Sequence, residues 1–176
     1  MGTAIGSALG NLAVAGAKRL GSALMEIASR GFELAPTVRS FGALTAAIGE
    51  SGEAMLQAGR AGSKGLVSDL EMIGAANKAL LLGLPITASS FGMLAQTAVV
   101  LGKAMGAGPT QSFNDLITAL GRSSPMILDN LGLSVQVGAA NEAYARSVGK
   151  TADQLTDAEK KLAFYNAALE LSLIHI

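Results

Sequence analysis

The stretch Pro109–Glu170, PTQSFNDLITALGRSSPMILDNLGLSVQVGAANEAYARSVGKTADQLTDAEKKLAFYNAALE, decides the fold, because caps, breakers and apolar spacing act together there. Pro109 and Thr110 open a helix predicted to run through Leu120. Phe113, Leu116, Ile117 and Leu120 share one of its faces at i, i+3, i+4 and i+7. Gly121 is expected to end it. Ser124 and Pro125 begin a short helical turn through Met126, Ile127, Leu128 and Leu131, which Gly132 stops as glycine stops helices just past their last residue. Leu133–Val137 alternates as a short strand or an extended connector would. Ala139–Val148 reads as helix closed by Gly149 and Lys150. Thr156, Asp157, Ala158 and Glu159 then fit a capping box, in which the hydroxyl accepts from the N3 amide and the glutamate accepts from the cap's own N–H. Asp157 and Glu159 also complement the helix dipole.

Working outward, apolar spacing of three and four recurs along the chain and strand signals are nearly absent. The fold class is therefore all-α: a succession of short-to-medium helices forming helical hairpins, extended or loosely packed, with no substantial sheet. Further helices are predicted over Thr3–Ser29, Thr37–Ala61, Gly65–Leu82 and Thr87–Met105, punctuated by Pro36, Pro85, Pro109 and Pro125. Internal glycines such as Gly10, Gly16, Gly21, Gly49 and Gly52 each cost about 1 kcal/mol relative to alanine. Gly2, Gly6 and Gly10, and again Gly102 and Gly106, stand four apart, a spacing that permits close helix contact and that glycine-rich composition also generates by chance. No charge interrupts the chain between Lys78 and Lys103. That run is broken by Pro85, Ser89, Ser90 and Gln96, so a hairpin turning at Leu84–Thr87 is expected in preference to a bilayer crossing. The expected organisation is a Gly/Ala-rich helical segment at 1–64, an apolar helical hairpin at 65–108, a capped helical region at 109–170 and a distinct tail at 171–176.

Composition narrows the chemistry. The 176 residues include 22 glycines, and aromatics make up 4 %. Charged residues make up 15 %, against about 25 % in ordinary domains. Few large side chains mean that helices must approach through Ala and Gly. A mean hydropathy of +0.43 is high for a freely soluble monomer, so association is expected, with Phe113, Leu116, Ile127, Leu162, Tyr165 and Leu169 in need of covering faces. Basic and acidic residues balance at 13 each, leaving no basic stripe for phosphates and no support for nucleic-acid binding. With no cysteine and His175 as the one histidine, nucleophilic triads and histidine metal clusters are unsupported. Gly59–Gly65, GRAGSKG, fails the G-x-x-x-x-G-K-[ST] order of a phosphate loop. Asp153 and Asp157 straddle the Thr156 cap as solvated helix-start acids. No catalytic, cofactor-binding or metal-binding residue is therefore expected, and no enzyme. Met1–Ala17 is apolar but lacks the positive n-region of a secretory signal, since Lys18 and Arg19 follow it.

The ordered residues of the decisive stretch resemble phage tail tape measure proteins. The resemblance rests on Ser112, Phe113 and Leu116, then on Ser124, Leu128, Asp129, Leu131 and Gly132. It continues through Ala140, Tyr144, Ala145, Gly149, Lys150, Thr151, Leu155–Lys161, Asn166, Ala167, Leu169 and Glu170. It covers about a third of the chain well, and the segment from about Ser68 loosely. The resemblance implies a structural scaffold of a phage or prophage tail that sets how far the tube polymerises and leaves during genome ejection. It further implies tail tube and tail assembly chaperone proteins as partners, self-association, and a location in the tube lumen of the virion, with the host cytoplasm during assembly. In that family hydrophobic segments accompany membrane passage, so transient membrane contact through 79–102 is an expectation of the same kind. The alternatives are a membrane-active helical protein and a generic helical interaction module. The last six residues, LSLIHI, match one reading frame of the transposase mosaic end used in sequencing libraries, CTGTCTCTTATACACATC. They are expected to be an adapter read-through, the parent chain continuing past Glu170.

Overall fold

Helix ends are set locally by side chains that satisfy the first amides and by residues that take up left-handed backbone. A computed structural model describes residues 35–174, with side chains through Ser172. Its elements are α1 (residues 35–47), α2 (Gly52–Ser63), α3 (Asp69–Leu81), α4 (Ala88–Met105), α5 (Pro109–Gly121), α6 (Pro125–Asn130), α7 (Val137–Ser147) and α8 (Asp157–Ile174). A 3-10 turn over Ala152–Gln154 precedes α8. No strand occurs among the described residues, and the fold is all-α with antiparallel reversals at α4/α5 and α7/α8.

Capping boxes close two further helices that the sequence reading left uncapped. At α3, Glu71 N–H donates to Ser68 Oγ (3.4 Å) and Ser68 N–H donates to Glu71 Oε2 (2.9 Å). At α4, Thr87 and Ser90 exchange the same pair of bonds at 3.2 and 2.9 Å. Glu50, from the α1–α2 link, accepts from the Ala88 amide (3.2 Å) and so places a carboxylate at the positive end of α4.

Several boundaries differ from expectation for identifiable reasons. The helix predicted over Thr37–Ala61 is two helices, because Gly49 turns left-handed (φ 75°) and Ser51 starts a new one as N-cap. α5 does end at Gly121, as expected, but not through a left-handed glycine: Gly121 is buried against Leu82, and Ser123 (φ 48°) makes the left-handed turn. Leu133–Gln136 is an extended connector whose Leu133 and Val135 point inward. The compositional break at Leu171 is not a helix end, since α8 continues to Ile174 and the buried Ser172 hydroxyl donates to the Ala168 carbonyl (2.8 Å). The proposed helix at Thr3–Ser29, the Gly2/Gly6/Gly10 spacing and His175 lie outside the described residues.

The compact unit from Ser40 onward runs through 64/65, and among its described elements α2 packs on α4 more extensively than any other pair packs. Within 65–108 the chain turns at Gly83 (φ 73°), but α3 packs chiefly on α5, while α4 lies against α2, α5 and α8. From Ser40 onward one apolar cluster runs through Phe41, Met55, Met72, Ile86, Phe91, Leu94, Phe113, Leu116, Leu128, Leu133 and Phe164. Each large side chain so buried is worth about 1.5–3 kcal/mol relative to exposure. Phe91 and Phe113 meet edge to face at 5.3 Å between centroids, joining α4 to α5.

The α2–α4 crossing is a contact of backbone on backbone. A Cβ on Gly62 would overlap the Gly92 carbonyl, and one on Gly92 would come within 2.9 Å of the Ala58 carbonyl oxygen. Gly59 makes room for the Met72 sulfur and the Phe91 ring. Gly74, by contrast, is exposed in the middle of α3 with nothing near a would-be Cβ. Alanine at either site gains about 1 kcal/mol of helix propensity, but at Gly62 overpacking against rigid backbone costs about 1–3 kcal/mol or more. Gly62→Ala should therefore destabilise the fold and Gly74→Ala should stabilise it by about 0.5–1 kcal/mol. Urea denaturation midpoints of the two variants check this; shifts of the same sign would remove the close-contact account.

Candidate functional site

The residues that carry the family resemblance divide into core and corners. Ser112, Phe113, Leu116, Leu128, Leu131, Ala140, Ala145 and Leu155 are buried, whereas Asp129, Asn166 and Glu170 are exposed. Gly132 (φ 81°) and Gly149 (φ 70°) supply the left-handed residues that end α6 and α7. Lys150 and Thr151 follow directly, and the structure brings them to the start of α8.

That α7–α8 corner is the densest polar arrangement in the region. Glu159 Oε2 accepts from the Thr156 amide (2.8 Å) and the Thr156 hydroxyl (2.9 Å), and the Glu159 amide donates back to Thr156 Oγ1 (3.3 Å). This is the capping box read from the sequence. Glu159 Oε1 also pairs with the Lys150 ammonium, a partner that the sequence reading missed although Lys150 stood nine residues before it. Thr151 starts the 3-10 turn, its amide donating to Gln154 (3.0 Å). The Lys150 ammonium, and then the amide and hydroxyl of Thr156, hold the Glu159 carboxyl down to about 2 from its ordinary 4.5. Lys150, Thr151, Gln154, Thr156 and Glu159 are thus all engaged in closing the chain between α7 and α8.

Other constellations weighed from sequence resolve in the same direction. GRAGSKG at Gly59–Gly65 is the end of α2: Gly59 and Gly62 are packing positions, and Lys64 (φ 53°) is the left-handed C-cap. Asp153 lies exposed in the 3-10 turn and Asp157 exposed in the first turn of α8. No group of three or more metal-ligating side chains occurs among the described residues. Of Gly102 and Gly106, the first permits a close helix contact and the second does not. Gly102 makes room for the Ser112 side chain of α5, and Gly106 (φ 71°) is the left-handed cap of α4. The apolar run 79–102 is shared between two helices, and Phe91, Leu94, Ala95, Ala98 and Leu101 of α4 are buried in the core. No helix of the described residues is long and apolar enough to cross a membrane.

One open surface stands apart from this closed chemistry. A groove enclosing about 620 Å³ lies between the α2–α3 link and the end of α4, lined by Lys64, Leu66, Val99, Val100, Lys103, Ala104, Ala107 and Pro109. Leu66 is 57 % exposed and Val100 38 %. Sequence reading passed over it, because Lys64 and Lys103 are far apart in the chain and each sits where a basic residue ordinarily complements a helix C-terminus.

Comparison with family models, with curated proteins and with solved structures finds no match to this chain.

The Glu159 corner carries a pH dependence whose sign follows from its lowered pKa. Its stabilisation is fully present above the unfolded carboxyl value of 4.5 and is lost as pH falls toward about 2. Exchange protection of the Glu159 and Lys160 amides should therefore decline between those values. Thr156→Ala should weaken the start of α8 by about 1 kcal/mol and move the decline to higher pH. Hydrogen exchange followed across the acid range checks both; an unchanged midpoint in the variant would separate the threonine from the glutamate.

Proposed function

We propose that the chain is part of a phage tail tape measure protein and acts as a structural scaffold rather than a catalyst. What carries the reading is the order of Leu-Asp-x-Leu-Gly at 128–132, Gly-Lys-Thr at 149–151 and Leu-Thr-x-Ala-Glu at 155–159. The all-helical fold supports it, as does the use of these motifs as helix ends and corners. On this reading the protein works in the tail tube lumen after assembly in the host cytoplasm, with tail tube and tail assembly chaperone proteins as partners and copies of itself alongside. It sets tail length and departs at genome ejection.

The helical module from Ser40 onward has a particular place in that scheme. A straight helix rises about 1.5 Å per residue, so residue count in an extended helix encodes length. Drawn out as one helix, this module would span on the order of 200 Å. Folded as it is, its radius of gyration is on the order of 14 Å. It is therefore poor ruler material and suits an anchoring or packing role at one end of the ruler.

In-frame deletions in the intact gene test this. Removing residues from an extended helical portion of the parent should shorten tails by about 1.5 Å per residue, whereas removing Pro109–Glu170 should disturb assembly. Electron micrographs of both sets of tails distinguish the outcomes. Unchanged length after the first deletion would remove the ruler role, and tails merely shortened in proportion after the second would make this region part of the ruler.

A further inference from the structure

The groove beside the end of α4 differs from the rest of the surface in its charge balance. Among the described residues, Lys78 donates to the Thr118 hydroxyl, Lys150 pairs with Glu159, Lys160 with Asp157, and Lys161 donates to the Leu82 carbonyl. Lys64 and Lys103 make no side-chain bond or ion pair with any described residue, and both border the same apolar groove. Among the described residues, no acidic side chain lines it.

The apolar part of the lining has a helical layout. Val99, Val100, Lys103 and Ala104 fall at i, i+1, i+4 and i+5 of α4 and so share one face, with Ala104 and Ala107 small enough for close approach. Leu66 faces this seam from the α2–α3 link with more than half its surface exposed. An apolar seam with one cation on each helix end matches an amphipathic helix that brings apolar residues at i, i+3 and i+4 and carboxylates beside them. Such carboxylates would meet two ammonium groups that have no competing partner among the described residues, which favours acidic over basic helices in both encounter rate and register.

We propose that this groove docks an acidic amphipathic helix of a partner protein, seated on Leu66, Val100 and Ala104 and flanked by Lys64 and Lys103. The proposal does not depend on the tail reading, since it rests on charge and surface alone.

Two dye-labelled synthetic helices with identical leucine faces, one with glutamates and one with lysines beside them, test it by fluorescence anisotropy against the full chain. The wild-type chain should bind the glutamate peptide at least tenfold more tightly than the lysine peptide. Lys64→Glu with Lys103→Glu should reverse that preference, and Leu66→Ser should weaken the glutamate peptide while leaving the thermal midpoint near wild type. Equal binding of both peptides, failure of the chain to bind the glutamate peptide, or a preference that survives the charge reversal would overturn the proposal. Sizing without peptide separates the other occupant: if the charge reversal dissolves an oligomer of the chain itself, the groove belongs to a second copy and the partner-helix assignment falls.

Discussion

Where α2 crosses α4, the carbonyls of Ala58 and Gly92 occupy the space that side chains would otherwise fill, and the rest of the module is built around that approach. A protein with few aromatics cannot fill a wide gap between helices, so its helices must come close. Glycine at 59, 62 and 92 lets them do so, and the gain is that Met55, Met72, Phe91 and Phe113 reach one shared interior. Glycine within a helix costs about 1 kcal/mol of propensity at each position. The burial of several large apolar side chains, at about 1.5–3 kcal/mol each, outweighs that.

Much of this was legible after residue 109 and little before it. Phe113, Leu116, Ile117 and Leu120 were read as one face and are all fully buried, because a face repeated over two turns has one physical solution. The Thr156/Glu159 box was legible because its bonds are local. The Ser68/Glu71 box carried the same signal, but it was obscured by starting the helix at Gly65. Glycine spacing was half informative: of Gly102 and Gly106, the first lets Ser112 of α5 approach α4 and the second only turns the chain. The glycines at the α2–α4 crossing, Gly62 and Gly92, lie thirty positions apart. Which glycine meets which backbone is a tertiary fact that no interval encodes.

The polar groups divide into those that close helices and those that border an open surface. Those near the motifs close helices: Thr156 and Glu159 hold α8, Lys150 ties it to the end of α7, and Glu50 reaches across to α4. Burial raises the Tyr165 hydroxyl above its ordinary 10.0, against a smaller pull from Ser90, which fits a side chain held in the core. Lys64 and Lys103, unpaired among the described residues, instead border one groove beside exposed leucine and valine.

Native-state hydrogen exchange in rising denaturant tests most directly whether the α2–α4 contact organises the module. If it does, amides of Met55–Ser63 and Phe91–Gly102 will converge on a single opening, shared with α5 and equal in free energy to global unfolding. If α2 amides exchange through a separate, lower-energy opening while α4 and α5 stay protected, α2 is an accessory to the core and the account is wrong.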